Sequence, residues 1–389
     1  MRTLAFTIER TLIYLLAFPS LVSIDFPATG ETVRKIITAA REGVLAYDKK
    51  EPTPRSWSAY DLAQTREIAD TLELTRHLVD AAEARLASRG ERRARQRGRP
   101  PTPRADIAKV LIMQTYFGVP NRVAEGLILL FGEKLGLSTS FSYKAIERGY
   151  DRAAVNRLLD EVMALTNVPI QGLEKTFSAD GTGMPTSGKE NYADQRDHQS
   201  VDGREAGRWP GSTELPSRRE YVFGVGVLGT KYKLFAAWKG SCDRRVGELA
   251  LFPDLLRQTK EFHPGMEMVV GDGLYAGRPQ CALVAEAGAV PRFLPRRNAT
   301  LKREGVKAWA EMLLSMAENP QRWFREYYQR EASECGFSMV KNRKGALRKR
   351  LRHRKETEAY LRFVQHNVTR LAQLRWVAEI TPWSGALAG

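Results

Sequence analysis

The chain has little with which to build a disulfide or a soft-metal site. Its three cysteines, Cys242, Cys281 and Cys335, are scattered and odd in number, which excludes a disulfide framework and a paired-cysteine zinc site. The five histidines are equally dispersed, with no HxxxH spacing. Any metal bound here is therefore expected to be a hard ion held by carboxylates. No repeat of fixed period is present. Long apolar runs are also missing. The one candidate for export, TLIYLLAFPSLVSI at 11–24, is too short to span a bilayer and is interrupted by Pro19. As a signal peptide it is poor, because Glu9 stands in the would-be basic region and no small-x-small cleavage site follows. A buried helix, or an upstream extension of the reading frame outside the working fold, is the better reading. No membrane association is expected, and a reducing cytoplasm beside the nucleoid is the natural setting.

What the chain does have is positive charge. Lys and Arg total 61 against 45 Asp and Glu, a net charge of +16. Such an excess points to a polyanionic partner, with nucleic acid as the first candidate. Ribosomal-type and membrane-surface binding give the same bulk signal, so charge alone does not decide. The hydrophobic fraction, 43%, is ordinary for a globular chain and excludes wholesale disorder.

The clearest boundary is 87–104, ASRGERRARQRGRPPTPR, with seven arginines and three prolines. It cannot pack, and reads equally as a solvated linker or a phosphate-contacting arm. Before it, 57–86 has apolar residues at helical spacing; after it, 105–168 is again helical. A Gly stop at Lys134-Leu135-Gly136, followed by Ser138, Thr139 and Ser140 as possible caps, fits a helix-turn-helix DNA reader or a plain helical hairpin. From Phe177 the pattern changes. EYVFGVGVL (220–228), a Gly229-Thr230 turn and YKLFAAW (232–238) read as a hairpin. A helix over 246–260, the strand MEMVVG (266–271), a helical PQCALVAEAG, the strand VPRFLP (290–295) and a helix over 308–316 follow. With Asp180 closing a first strand, the order is strand, strand, strand, helix, strand, helix, strand, helix. That predicts a mixed α/β sheet of ribonuclease-H-like order.

Three carboxylates stand out. Asp180 lies in FSADGTG and Asp272 in MVVGDGLY, each after an apolar strand and followed by glycine, where the backbone can approach a ligand closely. Alone, each reads as an ordinary turn aspartate. The third lies in YYQREASECGFSMVKNRKG. On a continuous helix at about 100° per residue, Tyr327, Arg330 and Lys341 fall within about 40° of Glu334. That stripe would place a carboxylate between two cations, with a solvated face of i,i+4 pairs as the plain alternative. Two-metal phosphoryl transfer needs carboxylates that hold two divalent ions about 3.5–4 Å apart. The run 341–355, KNRKGALRKRLRHRK, adds nine Lys or Arg residues and reads as a backbone clamp.

The spacing Tyr327-x2-Arg330-x3-Glu334-x6-Lys341 resembles the signature of DDE transposases of the insertion-sequence-4 group, and ADGTG and GDGLY resemble that family's other acidic motifs in form and order. RSWSAYDLAQTREI and RGRPPTPRADI are similar to the helical front end of many insertion-sequence transposases, and LRFVQHNVTRL to the family's closing helix; the first fifty residues match nothing. The resemblance implies that Asp180, Asp272 and Glu334 bind two Mg²⁺ or Mn²⁺ ions. It implies that Arg330 and Lys341 contact the transposon end with Tyr327 beside them, and that Tyr275 packs or touches DNA near the site. Implied partners are double-stranded transposon ends and target DNA, and a second copy of the chain in a synaptic homodimer. A plain nuclease of the same fold and a non-catalytic DNA-binding regulator are the rival readings. The expected domains are 1–50, of uncertain role; 51–170, helical and DNA-binding, with the basic linker 87–104; and 171–389, a ribonuclease-H-like catalytic domain. The segment between the 290–295 strand and Glu334 is too short for a large β insertion. The polar stretch 187–219 is left open, as a surface loop or a DNA-end contact.

Overall fold

The computed structural model describes residues 30–45, 54–90, 101–189, 219–243, 245–301, 305–342 and 344–382. The apolar segment 11–24, linker residues 91–100 and polar residues 190–218 lie outside them.

The helical half comprises α1 (Gly30–Arg41), α2 (Trp57–Ser88), α3 (Arg104–Phe117), α4 (Asn121–Phe131), α5 (Tyr143–Gly149) and α6 (Ala153–Asn167). Ser56 caps α2 by accepting from the Ala59 N–H, and Leu74, Leu78, Ala82 and Leu86 bury one stripe of it. Gly118 ends α3 in the left-handed region at φ 65°. The expected Gly stop falls later than the true end of α4, at Phe131. Ser138 does not cap α5; its N–H and hydroxyl both donate to Asp106, at 3.0 and 2.6 Å. The connection 132–142 is far longer than the three- or four-residue turn of a helix-turn-helix, so α4 and α5 do not form that motif.

The second half runs β1 (Thr176–Lys189), β2 (Arg219–Gly229), β3 (Phe235–Ser241), α7 (Glu248–Phe262), β4 (Met268–Gly271), α8 (Arg278–Glu286), β5 (Val290–Phe293), α9 (Lys307–Glu318), α10 (Pro320–Tyr327), α11 (Glu331–Lys341) and α12 (Arg352–Val377). The strands form one sheet in the order β3-β2-β1-β4-β5. β1–β2 and β2–β3 are antiparallel, while β1–β4 and β4–β5 are parallel. Three antiparallel strands extended by two parallel ones, each reached through a helix, make the ribonuclease-H-like sheet. Among the described residues, no strand lies between β5 and α11. The hairpin turn is longer than Gly229-Thr230: β3 begins at Phe235, not Tyr232. Buried Glu174 accounts for this, accepting from the Lys231 and Tyr232 N–H groups and holding 230–234 out of the ladder.

Each face of the sheet has its own core. On one, Phe177, Ala179, Val225, Val227 and Val269 meet α7 to α10. On the other, Met184, Val222 and Leu228 meet helices from both halves of the chain. The expected domain boundary near 170 therefore does not divide the packing. α12 lies against α2, α3, α6 and β3, and Leu78, Leu158, Phe235 and Phe363 share one apolar cluster. Nor is 1–50 wholly apart: Val33 and Ile37 of α1 are fully buried in the core of the opposite face, against α9.

Candidate active site

Asp180 sits within β1 rather than at its end. The parallel partner β4 pairs only with Thr176–Ala179, the last pair being Ala179↔Gly271. Both aspartates thus follow the final rung of that ladder, side by side on neighbouring strands. Asp272 opens a tight turn in which its Oδ1 accepts from the Leu274 N–H at 2.8 Å. Asp180 accepts from Ser333 Oγ at 2.8 Å and from the Gly181 N–H at 2.9 Å. Burial, reinforced by the Asp272 charge, holds its carboxyl above the usual range against these two hydrogen bonds.

The helix expected over 327–341 is broken. α10 stops at Tyr327, a 3₁₀ turn occupies Tyr328–Arg330, and α11 restarts at Glu331. A continuous stripe is consequently lost. Tyr327 is 4% exposed and stacks on Trp323 at 5.5 Å; Tyr275 is fully buried between Phe252 and Phe293. Burial leaves neither ring exposed for direct contact with DNA: Tyr275 packs beside the acidic turn, one of the two expectations for it, and Tyr327 lies beneath Arg330. Their effect is to seat the acidic turn and Arg330, whose guanidinium lies 5.7 Å over the Tyr327 ring.

Glu334 stands in the first turn of α11, one residue after the serine that holds Asp180. Its side chain is 63% exposed and pairs with Arg330 Nη1 at 3.2 Å. Among the described residues, no three His, Cys, Asp or Glu side chains gather tightly enough to hold an ion unaided. Asp180 and Asp272 come together; Glu334 faces Arg330 on the rim. Arg330 Nε is buried and has no hydrogen-bond partner among the described residues. Lys341, at the far end of α11, is half-buried, which lowers its pKa, and Asp180 opposes that shift.

The basic run after α11 is mostly structural. Lys349 and Arg354 pair with Glu147, Arg354 also with Asp151, and Lys355 with Glu220. Leu347 bridges to Thr186 of β1, so this segment straps the helical half to the sheet. Arg348 and Arg350 remain exposed; Arg343 lies outside the described residues. A nine-cation clamp is thereby reduced to a few side chains.

No protein-family model matches the chain. A probable transposase for insertion sequence element ISA1214 from Archaeoglobus fulgidus is 26% identical over 352 residues, covering 89% of this chain and 98% of that protein. Over nearly its whole length the chain is thus similar to a probable insertion-sequence transposase. Two solved Mos1 transposase assemblies, a paired-end complex with left transposon end and a pre-cleavage transpososome, share 12% identity with it. They cover 80% and 91% of this chain and 98% of theirs, with TM-scores of 0.20 and 0.21, too loose to position any residue.

Two participants were not foreseen. Ser333 fixes the Asp180 rotamer, and its only sequence signal is adjacency to Glu334. Glu248, the first residue of α7, places its carboxylate beside Gly181 and accepts from the Tyr275 hydroxyl at 3.4 Å. Burial first, then the Asp272 and Asp180 charges, raise its pKa. A lone Glu after GSCDRRVG offers no motif.

Proposed function

We propose that the chain is a DDE transposase that cuts and joins DNA strands at insertion-sequence ends, using Asp180, Asp272 and Glu334 with two Mg²⁺ or Mn²⁺ ions. The observation carrying this reading is the pairing of two half-buried aspartates past the last β1–β4 rung, with the Glu334 helix tied to Asp180 through Ser333. No described Lys or Arg makes an ion pair with either aspartate, and their oxygens suit a hard divalent ion. Bound there, such ions supply Lewis-acid activation of the attacking oxygen and stabilisation of the leaving one.

The chain's own residues do the rest. Asp180 and Asp272 hold fixed negative charge at the sheet edge, and Ser333 keeps Asp180 aimed. Arg330, with its unpartnered Nε and its fork-shaped guanidinium, is placed to receive a phosphate; Lys341 adds a second cation at the far end of α11. Two DNA ends must meet in one event, so the working form is a homodimer or larger synapse in the cytoplasm, at the nucleoid. No described helix is long and apolar enough to cross a membrane.

The test is cleavage of a DNA substrate carrying the element's end. Asp180→Asn, Asp272→Asn and Glu334→Gln should each lower Mg²⁺-dependent cleavage by at least about a hundredfold, the scale for losing one transition-state-stabilising group. End binding in Ca²⁺ should persist. Normal cutting by Asp272→Asn would overturn the assignment.

A further inference from the structure

Glu248 belongs to neither acidic motif nor the Glu334 helix, yet its carboxylate lies at the same edge of the sheet. Along β1 the side chains alternate. Ser178 and Asp180 point toward Arg330 and Ser333, while Phe177 and Ala179 face the α7 side. Gly181 therefore turns its missing side chain toward α7, and Glu248 fills that gap. A Cβ on Gly181 would stand 2.1 Å from Glu248 Oε1 and 2.4 Å from Oε2. The glycine after Asp180 thus makes room for another carboxylate. From below, the Tyr275 hydroxyl, three residues beyond Asp272, donates to Glu248 Oε2. No described Lys or Arg pairs with Glu248, and α7 begins at this residue without a side-chain cap. Its carboxylate is therefore held in place by the helix start, by one tyrosine and by a shape-matched gap.

Charge counting gives the arrangement its meaning. Asp180, Asp272, Glu248 and Glu334 bring four negative charges, while Arg330 and Lys341 bring two positive ones. A half-buried excess of carboxylate is costly unless cations complete it. We propose that Glu248 is a fourth carboxylate of the metal site, engaging a divalent ion directly or through its bound water. This rests on the metal-dependent reading above. Mg²⁺ retains several waters when protein-bound, so a carboxylate one water away remains part of the site. Losing such an outer partner typically costs 10–100-fold in metal affinity.

The experiment measures Mn²⁺ binding to the full chain without DNA, from free Mn²⁺ by electron paramagnetic resonance, alongside thermal melting in chelator and in saturating Mn²⁺. Wild type, Glu248→Gln, Glu248→Asp and Asp272→Asn are compared. Glu248→Gln should weaken Mn²⁺ binding about tenfold or more and melt higher than wild type in chelator, because a repelling charge is gone. Glu248→Asp should recover part of the affinity. A purely structural Glu248 would give the reverse: lower melting in chelator and unchanged Mn²⁺ affinity, which would overturn the proposal. If wild type and Asp272→Asn bind Mn²⁺ equally, the metal reading itself fails, an outcome distinct from failure of Glu248 alone.

Discussion

Arg330 shows how one side chain can be half explained by the protein and half by something outside it. Nη1 pairs with Glu334 and the guanidinium covers Tyr327, but the buried Nε has no described partner. A buried donor without an acceptor costs about 1–3 kcal/mol, which a phosphate oxygen would relieve. Arg330→Ala and Lys341→Ala should each flatten the salt dependence of end binding by about 0.9 in slope, one phosphate contact apiece. Affinities across a salt series check this, and unchanged slopes in both would return the pair to a solvated helix face. Arg330→Lys should bind more weakly than wild type, since an ammonium cannot reproduce the planar fork. Of the two aspartates, Asp272 stands where an apolar strand followed by Asp-Gly suggests, as the chain leaves β4, whereas β1 runs on past Asp180 and only its ladder with β4 stops there. Tyr327 was placed on a polar stripe because spacing does not distinguish a ring facing solvent from one facing its own core; for Tyr275 packing and DNA contact both stood open, and its burial favours packing. Glu248 was invisible: its meaning depends on the space opposite Gly181, which only the folded sheet defines.

At the scale of elements, the edge strand β3 is anchored by side chains. Asn367 of α12 is fully buried; its Oδ1 accepts from the Phe235 N–H at 2.8 Å and its Nδ2 donates to the Phe235 carbonyl at 2.8 Å. Asn167 donates to the same carbonyl at 3.0 Å. Asn367→Leu would leave the Phe235 N–H without its acceptor in an apolar cluster, while the carbonyl keeps its bond from Asn167, for a predicted loss of about 1–3 kcal/mol. Urea unfolding measures it; a loss below about 1 kcal/mol would show that the Phe235 N–H does not depend on Asn367 for its acceptor. Strand order and helix positions were readable because periods of two and 3.6 leave separate traces. The break at 328–330 was not, since a short 3₁₀ turn preserves most of the polar spacing while changing what each residue faces. The basic run misled for a related reason: its partners Glu147, Asp151 and Glu220 are remote in sequence.

For the whole molecule, two buried imidazoles set an acid limit. Burial pushes His366 down to about 3 and His263 down to about 4. His366 hydrogen-bonds the Lys233 carbonyl and His263 bonds Asn167. Unfolded, both would titrate near 6.5. Their neutral folded forms therefore give full stability above about pH 6.5, lost as pH falls toward 4, by up to about 1.4 kcal/mol per pH unit for each histidine. Denaturation at pH 7.5, 6 and 5 should show this decline, and a His263→Gln, His366→Gln double variant should flatten it. An equally steep decline in the double variant would assign the acid sensitivity to other groups.

The position of α12 has a consequence in time as well as in space. This helix, residues 352–377, lies between α2, α3 and α6 on one side and β3 on the other. During synthesis, at about 5–20 residues per second, the sheet and the front helices emerge with their shared apolar surface uncovered. Until residues 352–377 leave the ribosome, the contacts that α12 makes with both halves are missing, although α6 can already meet β3. A message broken before Arg352 would then yield a polypeptide that carries Asp180, Asp272 and Glu334 but leaves the apolar surface shared by both halves uncovered, and such a chain is expected to aggregate rather than fold.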